Sequence, residues 1–170
     1  MLLALYWGLA QAQPAAPGVR YEPSPMPVVE AMAELAAVRP GDVVYDLGCG
    51  DGRIVIAAAK RGARAVCVDI DPVRIADAQE NARTAGVAER IEFRTEDLFG
   101  VDLGDATVVM LFLSGDFNRK LRPRLQALPP GTRIVSHWHD MGDWQPRKIL
   151  HVSRDWRDHP VFLWVTGAPR

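Results

Sequence analysis

The chain has 170 residues, is 48% hydrophobic and 24% charged, and carries a formal net charge of −1. That length allows one domain with a real core, and the composition excludes a disordered chain or a coiled coil. The near-zero charge exerts no global pull toward nucleic acid or anionic lipid.

The charge is unevenly spread. Residues 1–112 carry 10 basic and 16 acidic side chains, and residues 113–170 carry 10 and 5. A solvated surface is the plain explanation, and a basic face for an acidic partner is the sharper one.

Met1 to Ala10 is almost wholly apolar, and Ala10-Gln-Ala12 resembles a small-residue cleavage site. No Lys or Arg precedes the run, and it is far too short to span a bilayer. A cleaved secretory signal, a membrane-attaching leader and a disordered tail all stay open. Gln13 to Gly18, with Pro14 and Pro17, reads as a linker. The expected organisation is a leader and linker over 1–19 and a single domain over 20–170. The expected location is cytoplasmic or membrane-associated, with secretion as the alternative.

From Pro27 onward, helix-like and strand-like segments alternate. Val28, Val29, Met32, Leu35 and Ala36 recur at helical spacing, and Arg39-Pro-Gly41 stops that helix. Asp42–Asp46 reads as a short strand, Arg53–Lys60 as an alanine-rich helix and Ala65–Asp69 as a second strand. Asp71-Pro72 is a strong helix start, since Asp caps and Pro fits the first helical position. That helix should end near Ala85-Gly86. A third strand is expected over Arg90–Arg94, and a long one, buried on both faces, over Ala106–Leu113. Asn118–Leu128 reads as a helix capped by Asp116, with Pro123 either in its first turn or kinking it. A fifth strand should cover Thr132–Ser136. Ile149–Ser153 and Val161–Val165 close the chain as a hairpin turning around Asp155–His159. The two cysteines, Cys49 and Cys67, form no disulfide framework and read as buried free thiols.

This alternation predicts an α/β doubly wound, mostly parallel sheet with helices on both faces. Sites in such folds lie beyond the carboxyl ends of the strands. Asp46–Gly52, Asp69–Asp71, Glu96–Leu98, Leu113–Phe117 and Ser136–Asp140 should therefore surround one crevice.

Gly48, Gly50 and Gly52 follow a strand and open a helix, whose N-terminus favours an anion. Asp69 ends the next strand, where a carboxylate can accept from both hydroxyls of a ribose. That spacing alone also permits a nicotinamide cofactor. Asp46, however, would repel a pyrophosphate, and it suits a ligand with cationic groups. S-adenosyl-L-methionine, with a sulfonium, an ammonium and a carboxylate, meets these demands.

Asp46-Leu-Gly-Cys-Gly-Asp-Gly52 resembles the first motif of class I S-adenosylmethionine-dependent methyltransferases. Val68-Asp69-Ile-Asp71 resembles their ribose-binding strand end, and Thr95-Glu-Asp97-Leu98 the segment that contacts adenine. The likeness covers roughly residues 26–165 and implies a seven-stranded Rossmann-like sheet whose last strand is antiparallel. It implies cofactor contacts at Asp46, Gly48, Cys49, Gly50, Gly52, Asp69, Ile70, Asp97, Leu98 and Phe112. Tyr21-Glu-Pro-Ser-Pro-Met-Pro-Val-Val-Glu30 and Gly50–Lys60 are similar to bacterial relatives of the mitochondrial protein-lysine methyltransferases that act on ATP synthase and the adenine nucleotide translocase. That likeness implies a membrane-attaching leader and a protein lysine as acceptor.

The acceptor side is less explicit. Phe112-Leu-Ser-Gly115 stands where many amino methyltransferases carry an Asn/Asp-Pro-Pro-Tyr/Phe motif, which lowers the case for adenine or glutamine as acceptor. Tyr21, Asp116, His137 and His139 are the candidate catalytic residues, with Asn118 beside the acceptor and Tyr21 as part of a lid. A general base at His137 or His139 is one reading and surface or structural packing another. If the strand continued, both histidines would face one side and a metal would be conceivable, but none is expected. Arg119, Lys120, Arg122 and Arg124 read as a solvated helix face and not a nucleic-acid patch. The rival functions are a small-molecule O- or N-methyltransferase, a non-catalytic cofactor-binding module and a nicotinamide-dependent oxidoreductase.

Overall fold

The computed structural model describes residues 21–154 and 156–167. The leader and linker expected over 1–19 lie wholly outside the described residues.

Seven strands form one sheet in the order β3-β2-β1-β4-β5-β7-β6. They are β1 (Val43–Leu47), β2 (Arg64–Asp69), β3 (Ile91–Thr95), β4 (Val108–Leu111), β5 (Arg133–His137), β6 (Lys148–Arg154) and β7 (Arg157–Val165). The first five are parallel, and β7 runs antiparallel to both β5 and β6. This is the sheet that the resemblance implied, antiparallel last strand included. The central strands β1 and β4 are almost wholly buried, because helices cover both faces of the sheet.

One face carries α1 (Met26–Leu35), α2 (Arg53–Lys60) and α3 (Pro72–Thr84), packed on Val44, Ala65, Cys67, Met110 and Val135. The other carries α4 (Gly115–Gln126), whose Leu121 and Leu125 pack against Leu47, Val109, Leu111 and Ile134. α1 is too short to persist alone. It is held by burying Val28, Val29, Met32 and Ala33, each large side chain contributing about 1.5–3 kcal/mol. Asp71 caps α3, accepting from the Val73 backbone at 2.9 Å with Pro72 next in line, as its sequence predicts.

β7 begins at Arg157, so His159, expected in the hairpin turn, lies within the strand, and four further details differ from expectation. β4 stops at Leu111, so Phe112 and Leu113 leave the sheet and reach the crevice. α4 begins earlier than the hydrophobic pattern suggested; Ser114 caps it, accepting from Phe117, and Asp116 occupies the first turn. Pro123 sits in the second half of α4, inside the helix. The fourth concerns the thiols.

Cys49 and Cys67 are joined as a disulfide, with Cα atoms 5.3 Å apart. Both are buried, as expected, but neither is free. Gly48, at φ +83°, turns the chain back after β1, and the backbone N–H groups of Gly48 and Cys49 both donate to the Val68 carbonyl, at 2.8 and 3.0 Å. This return lays Cys49 beside β2 within the Cα spacing a disulfide needs. A pair 18 residues apart carries no such signal in the sequence.

Candidate functional site

The strand order reverses direction between β1 and β4, and a crevice beyond the strand ends is expected there. The loop after β1 supplies its floor. Gly50, at φ +54°, has no room for a Cβ, which would lie 2.5 Å from the Tyr21 ring. Gly52 opens α2 as its N-cap and abuts Ala78 of α3. Leu113 packs on Gly48 from the β4 side.

Asp46 is 1% exposed, and its Oδ2 has no hydrogen-bond partner. Burial, then the nearby carboxylates of Asp69 and Asp51, push its carboxyl well above the usual range. An orphaned buried carboxyl oxygen at a strand end is costly unless a donor arrives. A cationic donor fits it, as the sequence argument required.

Asp69 faces the same loop. Its Oδ2 accepts from the Gly50 backbone at 2.9 Å and its Oδ1 from the Asp71 backbone at 3.0 Å. Each oxygen retains a lone pair for a ribose hydroxyl. Ile70, beside it, is 61% exposed, an apolar surface ready for a flat ring. Beyond β3, Asp97 folds its own turn by accepting from the Phe99 backbone, and Leu98 packs into the α4-side core. By their chemistry Asp46 would suit an ammonium, Asp69 a ribose and Ile70 with Asp97–Leu98 an adenine, so the residues present fit S-adenosylmethionine.

Tyr21 lies against Gly50 with the Arg74 guanidinium 4.7 Å from its ring centre. Burial, and then Asp51, raise its phenol above the ordinary value. Arg53 grips Asp51 through Nε and Nη2, at 2.9 and 2.5 Å, and its Nη1 donates to the Ser24 carbonyl at 2.8 Å. Burial opposes the charge of Asp51, but the Arg53 fork outweighs it and holds that carboxyl below its usual range.

His137 ends β5 and is 1% exposed. Its Nδ1 is 2.8 Å from Ser24 Oγ and its Nε2 is 3.1 Å from His159 Nδ1. Burial, then His159 and His139, push it down to about 4, so the ring is neutral near pH 7. The strand does not continue: Trp138 adopts φ +70°, and the His139 N–H turns back to the His137 carbonyl at 2.9 Å. The two histidines do not form a same-side pair, and among the described residues no group of three His, Cys, Asp or Glu could hold a metal. Phe112 packs on His137 with ring centres 4.1 Å apart.

Of the expected catalytic residues, His137 packs on Phe112 and bonds to Ser24 in the Tyr21 segment, His139 turns toward Gly115 at the start of α4, and Asp116 stands apart. That side chain is 85% exposed and pairs with Arg119 in the first turn of α4. Asn118 is fully buried; its Nδ2 donates to Ser136 Oγ and to the His139 and Asp140 carbonyls, tying α4 to the end of β5. Sequence reasoning missed Asp51, Arg53 and His159. Asp51 sits inside the glycine motif and Arg53 directly after it, and the two were legible as a charged pair two residues apart. His159 had no local signal, because only the β5–β7 register brings it to His137.

Fold and site together define a class I S-adenosylmethionine-dependent methyltransferase. More narrowly, the sequence model of the ANTKMT methyltransferase domain matches residues 46–148, and the chain belongs to that family. It is 44% identical over 154 residues to a protein-lysine N-methyltransferase of Saccharolobus islandicus, covering 89% of this chain and 96% of that one. It is 37% identical over 129 residues to the mouse adenine nucleotide translocase lysine N-methyltransferase, covering 75% of this chain and 56% of the mouse protein. Among solved structures, one from Salinibacter ruber, described as an RNA methyltransferase in complex with S-adenosyl-L-homocysteine, superposes with a TM-score of 0.80. It is 48% identical, over 88% of this chain and 97% of that one.

Proposed function

We propose that the acceptor is the side-chain amine of a lysine in a protein. The carrying observation is the 44% identity to the Saccharolobus islandicus protein-lysine N-methyltransferase, which spans 89% of the chain. A match that long takes in the acceptor side of the sheet as well as the cofactor loop.

S-adenosylmethionine, when bound, supplies a methyl group already activated by its sulfonium. The chain's own residues then have three tasks. Asp46 takes the cationic end of the ligand, and the glycine loop with the first turn of α2 takes its carboxylate. Asp69, Ile70, Asp97 and Leu98 orient the nucleoside, and Phe112 walls the crevice toward β5. The third task is to present a neutral amine, which a water-poor, aromatic opening favours because burial disfavours the ammonium form. His137 has both ring nitrogens bonded and is assigned no proton to remove. His139, whose ring carries no hydrogen bond among the described residues, is the imidazole we assign to that step.

The test is transfer of labelled methyl from S-adenosylmethionine into a lysate and a membrane fraction of the source organism, followed by mass spectrometry of the labelled site. The membrane fraction is included because the resemblance implies a membrane-attaching leader. Label on lysine, sensitive to protease, is the expected result. Label released by ribonuclease would replace lysine with RNA, the acceptor class suggested by the Salinibacter ruber protein's description. Label confined to small molecules would replace both.

A further inference from the structure

Tyr21 lies over the loop after β1, and Ser24 lies at the end of β5. In the sheet, β4 stands between those two strands. The segment joining Tyr21 to Ser24 therefore passes the end of β4, across the place where donor and acceptor must meet.

Ser24 anchors this strap at both its polar groups. Its carbonyl accepts from Arg53, which is itself clamped by Asp51 on the cofactor loop. Its hydroxyl joins a buried chain, Ser24 Oγ to His137 Nδ1 at 2.8 Å and His137 Nε2 to His159 Nδ1 at 3.1 Å. Ser24 is 2% exposed, and both histidines are buried. With His137 neutral, an arrangement that satisfies both bonds has the Ser24 hydroxyl donating to His137 Nδ1 and His137 Nε2–H donating to His159 Nδ1. A buried polar chain that is fully satisfied fixes geometry tightly.

We propose that Ser24, His137 and His159 are positioning residues for the cofactor. They pin the strap to the β5–β7 side of the sheet and thereby hold Tyr21 over the glycine loop. Among the described residues none of their side chains is hydrogen-bonded to the loop, and Ser24 reaches Arg53 only by its backbone carbonyl, which Ser24→Ala keeps, so these side chains act through Tyr21. The inference concerns the methyl donor's site and is independent of which acceptor the enzyme uses.

The test is calorimetry of S-adenosylhomocysteine binding to the full chain, with thermal unfolding measured alongside. Ser24→Ala should weaken binding by about tenfold, the scale of one lost buried hydrogen bond. Tyr21→Ala should weaken it by about as much, through lost contact with the loop. Because Ser24 acts through Tyr21, the double variant should bind no more than about twofold more weakly than Tyr21→Ala alone. Multiplicative losses, or a Ser24→Ala variant that binds within about twofold of the parent, would overturn the proposal. Should Ser24→Ala not fold, His159→Gln cuts the chain at its far end and is judged by the same two criteria, alone and combined with Tyr21→Ala.

Discussion

Two aspartates four residues apart, one just before β1 and one near its end, live opposite lives. Asp42, at the start of the strand, is 6% exposed and fully partnered. It pairs with Arg133, accepts from the Arg39 backbone at 2.9 Å, and receives the Thr107 hydroxyl at 2.9 Å. Burial opposes its charge, but those bonds outweigh burial and hold its carboxyl below the ordinary range. Asp46, near the strand's end, is buried as deeply, and its Oδ2 has no partner. The edge of the sheet at the strand starts is finished for stability. The opposite edge is left incomplete for a ligand.

The comparison can be broken most forcefully at Asp42. Asp42→Ala leaves the Arg133 guanidinium largely buried without its carboxylate, and it should destabilise the fold by about 3 kcal/mol. For a chain of this size that lowers Tm by roughly 6–12 °C, measurable by calorimetry. The folded variant should bind S-adenosylhomocysteine as the parent does. A variant with parental Tm would show that the pair is not structural.

Next comes the covalent tie at the other edge. The Cys49–Cys67 disulfide closes a loop across 18 positions, and reduction should cost about 3 kcal/mol on the chain-entropy account. Because both cysteines are buried, reduction should need partial unfolding, and a reductant in mild denaturant should act where reductant alone does not. Mass spectrometry of alkylated thiols follows it. Rapid alkylation of the native protein without reductant would show that the two thiols are free.

Asp69→Ala should weaken S-adenosylhomocysteine binding by about 1–3 kcal/mol, the scale of lost charge-assisted hydrogen bonds. Calorimetry reads this directly, and an unchanged Kd would remove Asp69 from the cofactor site.

The smallest effect is the most diagnostic. Asp46 has a raised carboxyl pKa, so the native state keeps that proton at a pH where the unfolded chain has released it. Stability therefore falls as pH rises from the ordinary carboxylate value toward the raised one. Asp42 has the opposite sign. Its contribution is present above its unfolded pKa and is lost as pH falls through the depressed folded value. Asp46→Asn should remove the first slope alone. Without ligand it should raise Tm at neutral pH by about 2–4 °C while weakening S-adenosylhomocysteine binding, the trade expected where a site is built at the expense of stability. A lowered Tm would place a structural partner on Asp46.

Much of the molecule was legible in the sequence because its signals are local. The run of glycines between Leu47 and Arg53 could only be a strand-to-helix turn, and Asp71-Pro72 could only open a helix. Asp46 and Asp69 were placed at strand ends by hydrophobic periodicity, and the sheet put both on one edge. The signals that failed were those competing with a stronger neighbour. Ser114 took the α4 cap from Asp116 because its hydroxyl reaches the Phe117 amide, leaving Asp116 to Arg119.

By itself, then, the sequence determined the order of elements, the class of sheet, and the candidate residues for a cofactor with cationic groups. All follow from patterns a few residues long, repeated along one chain. Tertiary structure alone decided the partners that lie far apart: Cys49 with Cys67, Ser24 with His137 across 113 positions, and His137 with His159. Such pairings depend on strand register and on which way a loop folds back, and neither leaves a periodic trace in the chain. The physical difference between Asp42 and Asp46 belongs to the same category. Both are acidic residues in one short apolar run, and only packing gave one an arginine and left a carboxyl oxygen of the other without a partner.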